Sequence, residues 1–268
     1  MLRSIGRLSP FAARGAAAAA AAAAGTALCF ADRPASCEAP KLELKYFDGK
    51  GLAEQSRILM ALSGVEYTNT RWKMDMAQPY GKRCPTFVEA QGNGSIYMAL
   101  DRAPVLIADG VAFGQSKSIE RYLARRVGLY GANELEAAQI DSFGEHLRDL
   151  KDLHGKAGTD TEAADFKAKV LPAWLAKLER VAGDTKGCVV GNGLSLADVQ
   201  LYYFVCEHFP ARDAYMKGPN AKPSGDGSGD PVATLLRECP KLAASVVAIR
   251  DHPRVKAHVA GRQYTAPW

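Results

Sequence analysis

Tyr46 is the residue whose type and position first suggest chemistry. It ends a run, residues 42–46, in which apolar and charged side chains alternate at the spacing of a β-strand. Asp48 and two glycines then break the strand, and from Leu52 onward the apolar residues recur at helical spacing. Tyr46 is therefore predicted at the carboxyl end of a strand, where α/β proteins bind ligands. An alternative stays open, namely that Tyr46 is one more aromatic residue of the core.

Composition excludes several other kinds of chemistry. The 268 residues carry a formal net charge of +5, with 47% hydrophobic and 24% charged residues, which is typical of a globular protein and too mild for a nucleic-acid partner. The six cysteines include no CxxC pair, and no Cys/His cluster has zinc spacing, so no metal is expected. No cysteine lies beside Tyr46, and the five histidines are isolated in the sequence. The sequence also lacks a GxGxxG motif and a Walker loop.

Residues 1–40 have the composition of a targeting segment. Three arginines precede the first acid, Asp32, and alanines fill positions 16–24. This arginine-rich, acid-poor pattern is typical of a transit peptide, so we expect a mitochondrial protein, with the plastid as the alternative, or the cytoplasm if the segment is no targeting signal. The uncharged stretch 15–31 is shorter than the ~20 residues of a spanning helix. A signal peptide, a short anchor, or association with a membrane or complex through residues 1–40 also stays open.

Residues 41–128 form the first predicted domain, of mixed α/β type. A second strand is expected near 66–71, followed by a long loop with one short helix at 72–101. Residues 103–107 form a strand that begins with a proline, a hairpin turn follows at 108–110, and a returning strand leads into a helix near Gln115 and Ser116.

Residues 129–268 form the second predicted domain, which is all helical. One long helix starts near Asn133, and a second carries apolar residues from 166 to 181. The segment Ser195–Asp198 has the pattern of a capping box at the start of a third helix. Further on, residues 217–230 are predicted to be a flexible insertion, a helix from Leu235 to Ile249 is interrupted at Pro240, and Pro253 starts a short last helix.

This organisation resembles the glutathione transferase fold, a thioredoxin-like α/β domain followed by an all-α helical bundle. Four motifs in the expected order carry the resemblance, which is closest to the sigma-like, tyrosine-type transferases and covers about residues 42–265. They are the Tyr-Phe…Gly-x-Ala-Glu entry at 46–54, the cis-Pro strand at 103–106, the Gln-Ser helix start at 114–119, and the capping box at 195–198.

The resemblance implies a glutathione site. Tyr46 matches the residue that donates a hydrogen bond to the glutathione sulfur and stabilises the thiolate. Pro104 would be cis and would expose the backbone of Ala103 to the extended peptide, while Gln115 and Ser116 would bind the γ-glutamyl carboxylate at a helix N-terminus. Ordinary N-capping is the alternative for these two residues. The resemblance also assigns Trp72 to the glutathione site, and Asp141 to the site of the partner subunit in a homodimer.

The implied function is a glutathione transferase acting on an electrophile or a peroxide, with peroxidase or isomerase activity as variants and glutathione as co-substrate. A different class of function stays open: a non-catalytic transferase-fold subunit for binding or assembly in an organellar complex, or a carrier of apolar ligands. Two departures from the family pattern bear on this choice. Leu52 stands where the family often has arginine, and the loop at 72–101 is longer than usual.

Overall fold

The computed structural model describes residues 41–184, 187–209 and 236–264. The predictions for the segment 1–40 and the insertion 217–230 lie outside the described residues, as does the start of the helix predicted from Leu235. Within the described ranges, no helix is both long and apolar enough to span a bilayer.

A four-stranded mixed sheet forms the first part of the chain. Its strands are β1 (Leu42–Phe47), β2 (Thr68–Trp72), β3 (Val105–Ala108) and β4 (Val111–Gly114), in the order β2-β1-β3-β4. β1 is parallel to β2 and antiparallel to β3, and β3 and β4 form a hairpin. All four strands were predicted from the sequence.

Three helices accompany the sheet, α1 (Glu54–Ser63), α2 (Pro85–Gly92) and α3 (Ser116–Arg126). A single 3-10 turn, Gly51–Ala53, leads from the loop after β1 into α1. The segment 72–101 holds α2 and two 3-10 turns, as the prediction of a loop with one short helix requires. It also has a small apolar core of its own, which joins it to the sheet; its members are Trp72, Cys84, Ala90, Ile96, Ala99 and Val105.

The remaining described residues form helices only. The long helix α4 (Glu134–Lys156) begins at an Asn133 cap. Next, α5 (Asp160–Asp165) continues through a π-helical turn into α6 (Leu171–Val181), and α7 (Leu196–Tyr202) continues as a π-helical segment to His208. The last helices are α8 (Pro240–Arg250) and α9 (Pro253–Gly261). One prediction was wrong: Pro240 begins α8 and does not interrupt it, because a proline in the first turn removes an N–H that needs no helical partner.

Helix α7 lies at the centre of the helical part, and every one of its residues is buried. The predicted capping box is confirmed, since the Asp198 carboxylate accepts hydrogen bonds from the Ser195 amide and hydroxyl, both at 2.8 Å. Asp198 also accepts from the Val189 amide at 2.8 Å and from the Ser245 hydroxyl of α8 at 2.6 Å. One buried carboxylate thus connects the start of α7, the preceding loop and α8. The architecture expected from the sequence, a thioredoxin-like sheet domain plus a helical bundle, is confirmed.

Candidate active site

One edge of the sheet brings together the predicted residues of the site. The register pairs Lys45 with Val105, Val105 with Gly114, and Phe47 with Trp72. The ends of β1, β2 and β4 and the start of β3 therefore lie at the same edge. Four residues from separate segments lie at or next to this edge: Tyr46, Trp72, Pro104 and Gln115.

The Tyr46 hydroxyl is held by the turn that follows its strand. The side chain is only 7% exposed, and its oxygen accepts a hydrogen bond from the Leu52 amide at 3.0 Å. This bond occupies a lone pair of the oxygen, which leaves the O–H proton to be donated to a ligand. Burial raises the pKa of Tyr46, and the Leu52 amide and the positive charge of Arg57 oppose that rise.

The approach of the turn to Tyr46 depends on a glycine. Gly51 has a φ of +40°, and a Cβ at this position would overlap the Tyr46 hydroxyl oxygen. Only glycine fits both the backbone conformation and the space. The turn and the tyrosine are thus fitted to each other.

The peptide bond between Ala103 and Pro104 is cis, as predicted. The paired part of β3 begins at Val105, so Ala103 lies just before the ladder, and the residue is half-buried at the edge. An extended peptide that lies along this edge would meet the backbone of Ala103.

Gln115 and Ser116 begin α3 in an unusual way. Gln115 is the residue before the first turn, with φ 70° and ψ 108°, and no side chain caps the helix. Interpreting the pair as an ordinary N-cap is therefore wrong. A non-glycine residue at such a φ costs on the order of 1–3 kcal/mol, which is typical of ligand sites. The amides of the first turn of α3 need a partner, and an anion suits them.

Trp72 and Asp141 are less clearly placed for a ligand. Trp72 is 7% exposed and packs against Phe47 and Phe87, with ring centroids 6.0 and 5.0 Å apart. Core packing explains its position, so its contact with glutathione stays a prediction. Asp141 on α4 accepts a 2.7 Å hydrogen bond from Arg121 of α3 in its own chain. Its contact with the ligand of a partner subunit also stays a prediction.

A buried charge cluster next to the site was missed by the sequence interpretation. Glu54 of α1 is fully buried, and four side chains converge on its carboxylate: Arg57 at 3.2 Å, His258 at 2.9 Å, Arg262 at 3.0 Å and Tyr264 at 2.6 Å. Burial alone would raise the pKa of Glu54, but the hydrogen bonds with His258 and Tyr264 and the charge of Arg57 outweigh it and lower the pKa to about 2. We call the three C-terminal residues, His258, Arg262 and Tyr264, the C-terminal clamp.

The same cluster fixes the loop that follows Tyr46. Arg57 donates to the Gly49 carbonyl at 2.7 Å, and Arg71 pairs with Asp48 at 2.9 Å and donates to the Gln263 carbonyl at 2.6 Å. The loop after β1 is thereby held from α1, from β2 and from the C-terminal segment. The Glu54-x-x-Arg57 spacing could have revealed the first pair in the sequence, but nothing local points to the distant partners of the C-terminal clamp.

Two residues of the helical part approach the turn. Tyr203 donates from its hydroxyl to the Gly51 carbonyl at 2.8 Å, and the Lys151 ammonium lies 5.2 Å from the centroid of the Tyr203 ring. Burial, together with the positive charge of Lys117, lowers the pKa of Lys151 to about 8. Neither residue was singled out in the sequence, where each is one apolar or basic position on a helix.

A cavity of about 220 Å³ lies elsewhere, between α4, the end of α6 and the loop before α7, and contains no predicted site residue. In the part of the chain that the structure describes, no group of three or more His, Cys, Asp or Glu side chains could hold a metal ion.

Comparisons with known proteins identify the family of this chain. A family model for the glutathione S-transferase C-terminal domain matches residues 151–222. Glutathione S-transferase 4 of Caenorhabditis elegans is 32% identical over 173 residues, which is 60% of this chain and 76% of that protein. S-crystallin SL11 of Nototodarus sloanii is 26% identical over 85% of this chain and 99% of its own length. The solved Pi-class glutathione S-transferase of Onchocerca volvulus shares the fold, with a TM-score of 0.62 over 83% of this chain and 93% of that one at 23% identity. The chain therefore belongs to the glutathione S-transferase family.

Proposed function

We propose that this protein is a sigma-like, tyrosine-type glutathione transferase in which the Tyr46 hydroxyl donates a hydrogen bond to the sulfur of glutathione. The observation that carries the proposal is the geometry of that hydroxyl. Its oxygen is fixed by the Leu52 amide at 3.0 Å, at the sheet edge where a ligand would bind. A donor held in this way is oriented before the ligand arrives, so little conformational entropy is lost on binding.

The energy that this role requires is modest. A free thiol has a pKa of about 8.5, and lowering it by about two units takes roughly 2.7 kcal/mol of preferential stabilisation of the thiolate. A hydrogen bond to an anion in a site that excludes water is of that order. The thiolate would then form a carbon–sulfur bond with an electrophilic carbon, as a leaving group departs or a double bond is added across. With a peroxide it would attack one oxygen, which breaks the oxygen–oxygen bond, oxidises the sulfur and releases the other oxygen as an alcohol or water after it takes up a proton. An isomerase activity is a variant of the same chemistry.

The remaining predicted residues would hold the tripeptide. The backbone of Ala103, next to the cis-proline Pro104, would pair with the extended glutathione. The first turn of α3, at Gln115 and Ser116, would bind the γ-glutamyl carboxylate because its amides carry no side-chain cap. Trp72 would border the site, and Asp141 of a partner subunit would approach the glutathione amine.

Tyr46→Phe tests this proposal. It removes the hydroxyl and keeps the ring, so we expect the pKa of bound glutathione to rise by about two units and kcat/KM near neutral pH to fall by about 10²-fold. Thiolate absorbance and a conjugation assay measure the two quantities. Tyr97→Phe is the matched control, because Tyr97 is 67% exposed. Equal thiol pKa values in the wild type and Tyr46→Phe would refute the role of Tyr46.

A second function, a non-catalytic binding or assembly subunit, is favoured by two observations. Leu52, at the position where the family often has arginine, is 54% exposed, and three large apolar side chains of the 72–101 segment are also exposed: Tyr97, Met98 and Leu100, at 67, 68 and 74%. Apolar residues grouped in this way often contact another protein. They equally suit the interface of a homodimer, which we also propose for this protein. If glutathione does not bind to the chain in calorimetry, the assembly function replaces the enzymatic one.

We further propose that residues 1–40 target the protein to the mitochondrion, with the plastid as the alternative. The arginine-rich, acid-poor composition supports this. Fusing residues 1–40 to a fluorescent reporter tests it. Import into mitochondria is the expected result, and a diffuse cytosolic signal would contradict it. Association with a membrane or complex through this segment would show as reporter recovered in a membrane fraction.

A further inference from the structure

Tyr46 and Tyr203 bind opposite ends of one peptide group. The Leu52 amide donates to the Tyr46 oxygen at 3.0 Å, and the Gly51 carbonyl, which belongs to the same peptide unit, accepts from the Tyr203 hydroxyl at 2.8 Å. The order of groups is therefore Tyr203 O–H, then C=O and N–H of the Gly51–Leu52 peptide, then the Tyr46 oxygen.

Hydrogen bonds in such a chain strengthen each other. A donor at the carbonyl oxygen polarises the peptide, so its N–H becomes a better donor, and the effect is larger where water is excluded. Tyr203 is 6% exposed and Tyr46 is 7% exposed, so both ends of this series of hydrogen bonds are buried. Lys151 adds to the polarisation, since its ammonium faces the Tyr203 ring at 5.2 Å and draws electron density from the phenol.

We propose that Tyr203 is a positioning residue that acts on Tyr46 through the Gly51–Leu52 peptide, fixing the turn and strengthening the Leu52 amide as a donor to the Tyr46 oxygen. A stronger bond to that oxygen holds the Tyr46 hydroxyl in the orientation from which it donates its proton to an acceptor. The inference rests on the proposed function only for its last step, the effect on the glutathione thiolate. Its earlier steps concern Tyr46 alone.

The geometry around Tyr203 supports a role for its hydroxyl beyond packing. The hydroxyl comes from the π-helical continuation of α7, in the helical part, and reaches a carbonyl 152 positions earlier in the chain. Its neighbour Tyr202 is buried as deeply, but its hydroxyl is 3.5 Å from Glu207 and does not bond to the turn. Two adjacent buried tyrosines thus differ in the one contact that matters, which makes Tyr202 a matched control.

Several titratable groups face the two phenols and would shape any pH profile. Arg57 faces Tyr46, while the Tyr203 hydroxyl and ring are surrounded by Glu54, Glu120, Lys151, Glu207 and His208. All of them remain unchanged in Tyr203→Phe and Tyr202→Phe. A difference between these two variants therefore reports the Tyr203 hydroxyl and not a neighbouring group.

The experiment compares the 268-residue wild type, Tyr203→Phe, Tyr202→Phe and Tyr46→Phe. We expect the pKa of bound glutathione, measured by thiolate absorbance, to rise by about half a unit in Tyr203→Phe, with kcat/KM falling about threefold on the acidic side of the profile and recovering at alkaline pH. Tyr202→Phe is expected to match the wild type. In NMR spectra without glutathione, the Leu52 amide proton is expected to move upfield in Tyr203→Phe, since its hydrogen bond weakens, and to stay in place in Tyr202→Phe. Tyr46→Phe removes the acceptor of that bond and is the positive control for the shift.

The outcomes are distinguishable. If Tyr46→Phe raises the thiol pKa and Tyr203→Phe leaves both the thiol pKa and the Leu52 proton unchanged, the inference is overturned while the proposed function stands. If Tyr46→Phe has no effect on the thiol, the proposed function fails, and the Leu52 proton shift still decides whether Tyr203 acts on the peptide. A uniform loss of activity at all pH values, in both Tyr203→Phe and Tyr202→Phe, would reduce Tyr203 to a packing residue.

Discussion

Replacing Glu54 by glutamine is expected to destabilise the fold in a pH-dependent way. Glu54→Gln keeps the size of the side chain but removes its charge. The Arg57 guanidinium, which is fully buried, then loses the carboxylate that compensates its charge. The Arg262 guanidinium, 11% exposed, loses one of its two carboxylates and keeps Glu207 at 2.8 Å. The hydrogen bond from Tyr264 at 2.6 Å loses its anionic acceptor as well.

The pKa of Glu54 gives the magnitude. This pKa falls from its ordinary value of 4.5 to about 2 in the folded protein. At about 1.4 kcal/mol per unit, this corresponds to roughly 3 kcal/mol of folding free energy, similar to the ~3–5 kcal/mol expected when one partner of a buried ion pair is removed. The loss is large against a total stability of about 5–15 kcal/mol.

The sign of the pH dependence follows from the lowered pKa. A carboxylate whose pKa is lower in the folded state stabilises the fold fully above its unfolded pKa, near 4.5, and this stability is lost as pH falls toward about 2. The difference in unfolding free energy between wild type and Glu54→Gln should therefore be constant above about pH 5.5 and should narrow below about pH 4.5.

Urea denaturation, followed by tryptophan fluorescence at several pH values, measures this difference. Glu66→Gln is the control, because Glu66 lies in the loop before β2 and takes no part in the buried cluster, and its effect should stay within about 0.5 kcal/mol. The reasoning would be refuted by a loss below about 1 kcal/mol near neutral pH, or by a difference that does not narrow at acidic pH.

Two further variants test the turn beside Tyr46. Gly51→Ala would place a Cβ against the Tyr46 hydroxyl at a φ of +40°, so we expect about 1–3 kcal/mol of destabilisation in urea and a raised pKa of the glutathione thiol. Gly92→Ala is the control and should be neutral, because a Cβ at Gly92 would meet no other atom. An active and stable Gly51→Ala would show that the close fit is not needed. Leu52→Arg places at this exposed position the positive charge that the family often has there. Calorimetry should show that glutathione binds more tightly by roughly 1 kcal/mol, or about fivefold. Unchanged affinity would mean that Leu52 does not weaken the site.

The sequence alone determined the order of the elements and the edge of the sheet at which the candidate site lies. Alternation in residues 42–46, the proline at 104 and the capping box at 195–198 are signals read within a few residues, because strands, turns and helix caps are decided by neighbouring side chains. Once β1, β3 and β4 are placed in one sheet, Tyr46 and Gln115 must lie at the same edge. The prediction from the local pattern was wrong at Pro240. This residue follows a short turn at 236–238 and begins a helix, where an interruption of one was expected.

Only the tertiary structure decided which groups surround Tyr46. The Glu54 carboxylate accepts a hydrogen bond from Tyr264, which lies 210 residues away in the sequence, and the Gly51 carbonyl accepts one from Tyr203, which lies 152 residues away. No pattern in the sequence encodes these pairs, since each partner looks locally like an ordinary helical or terminal residue. They arise because the helical part packs against α1 and the turn, and burial there leaves every charge and hydroxyl in need of a partner.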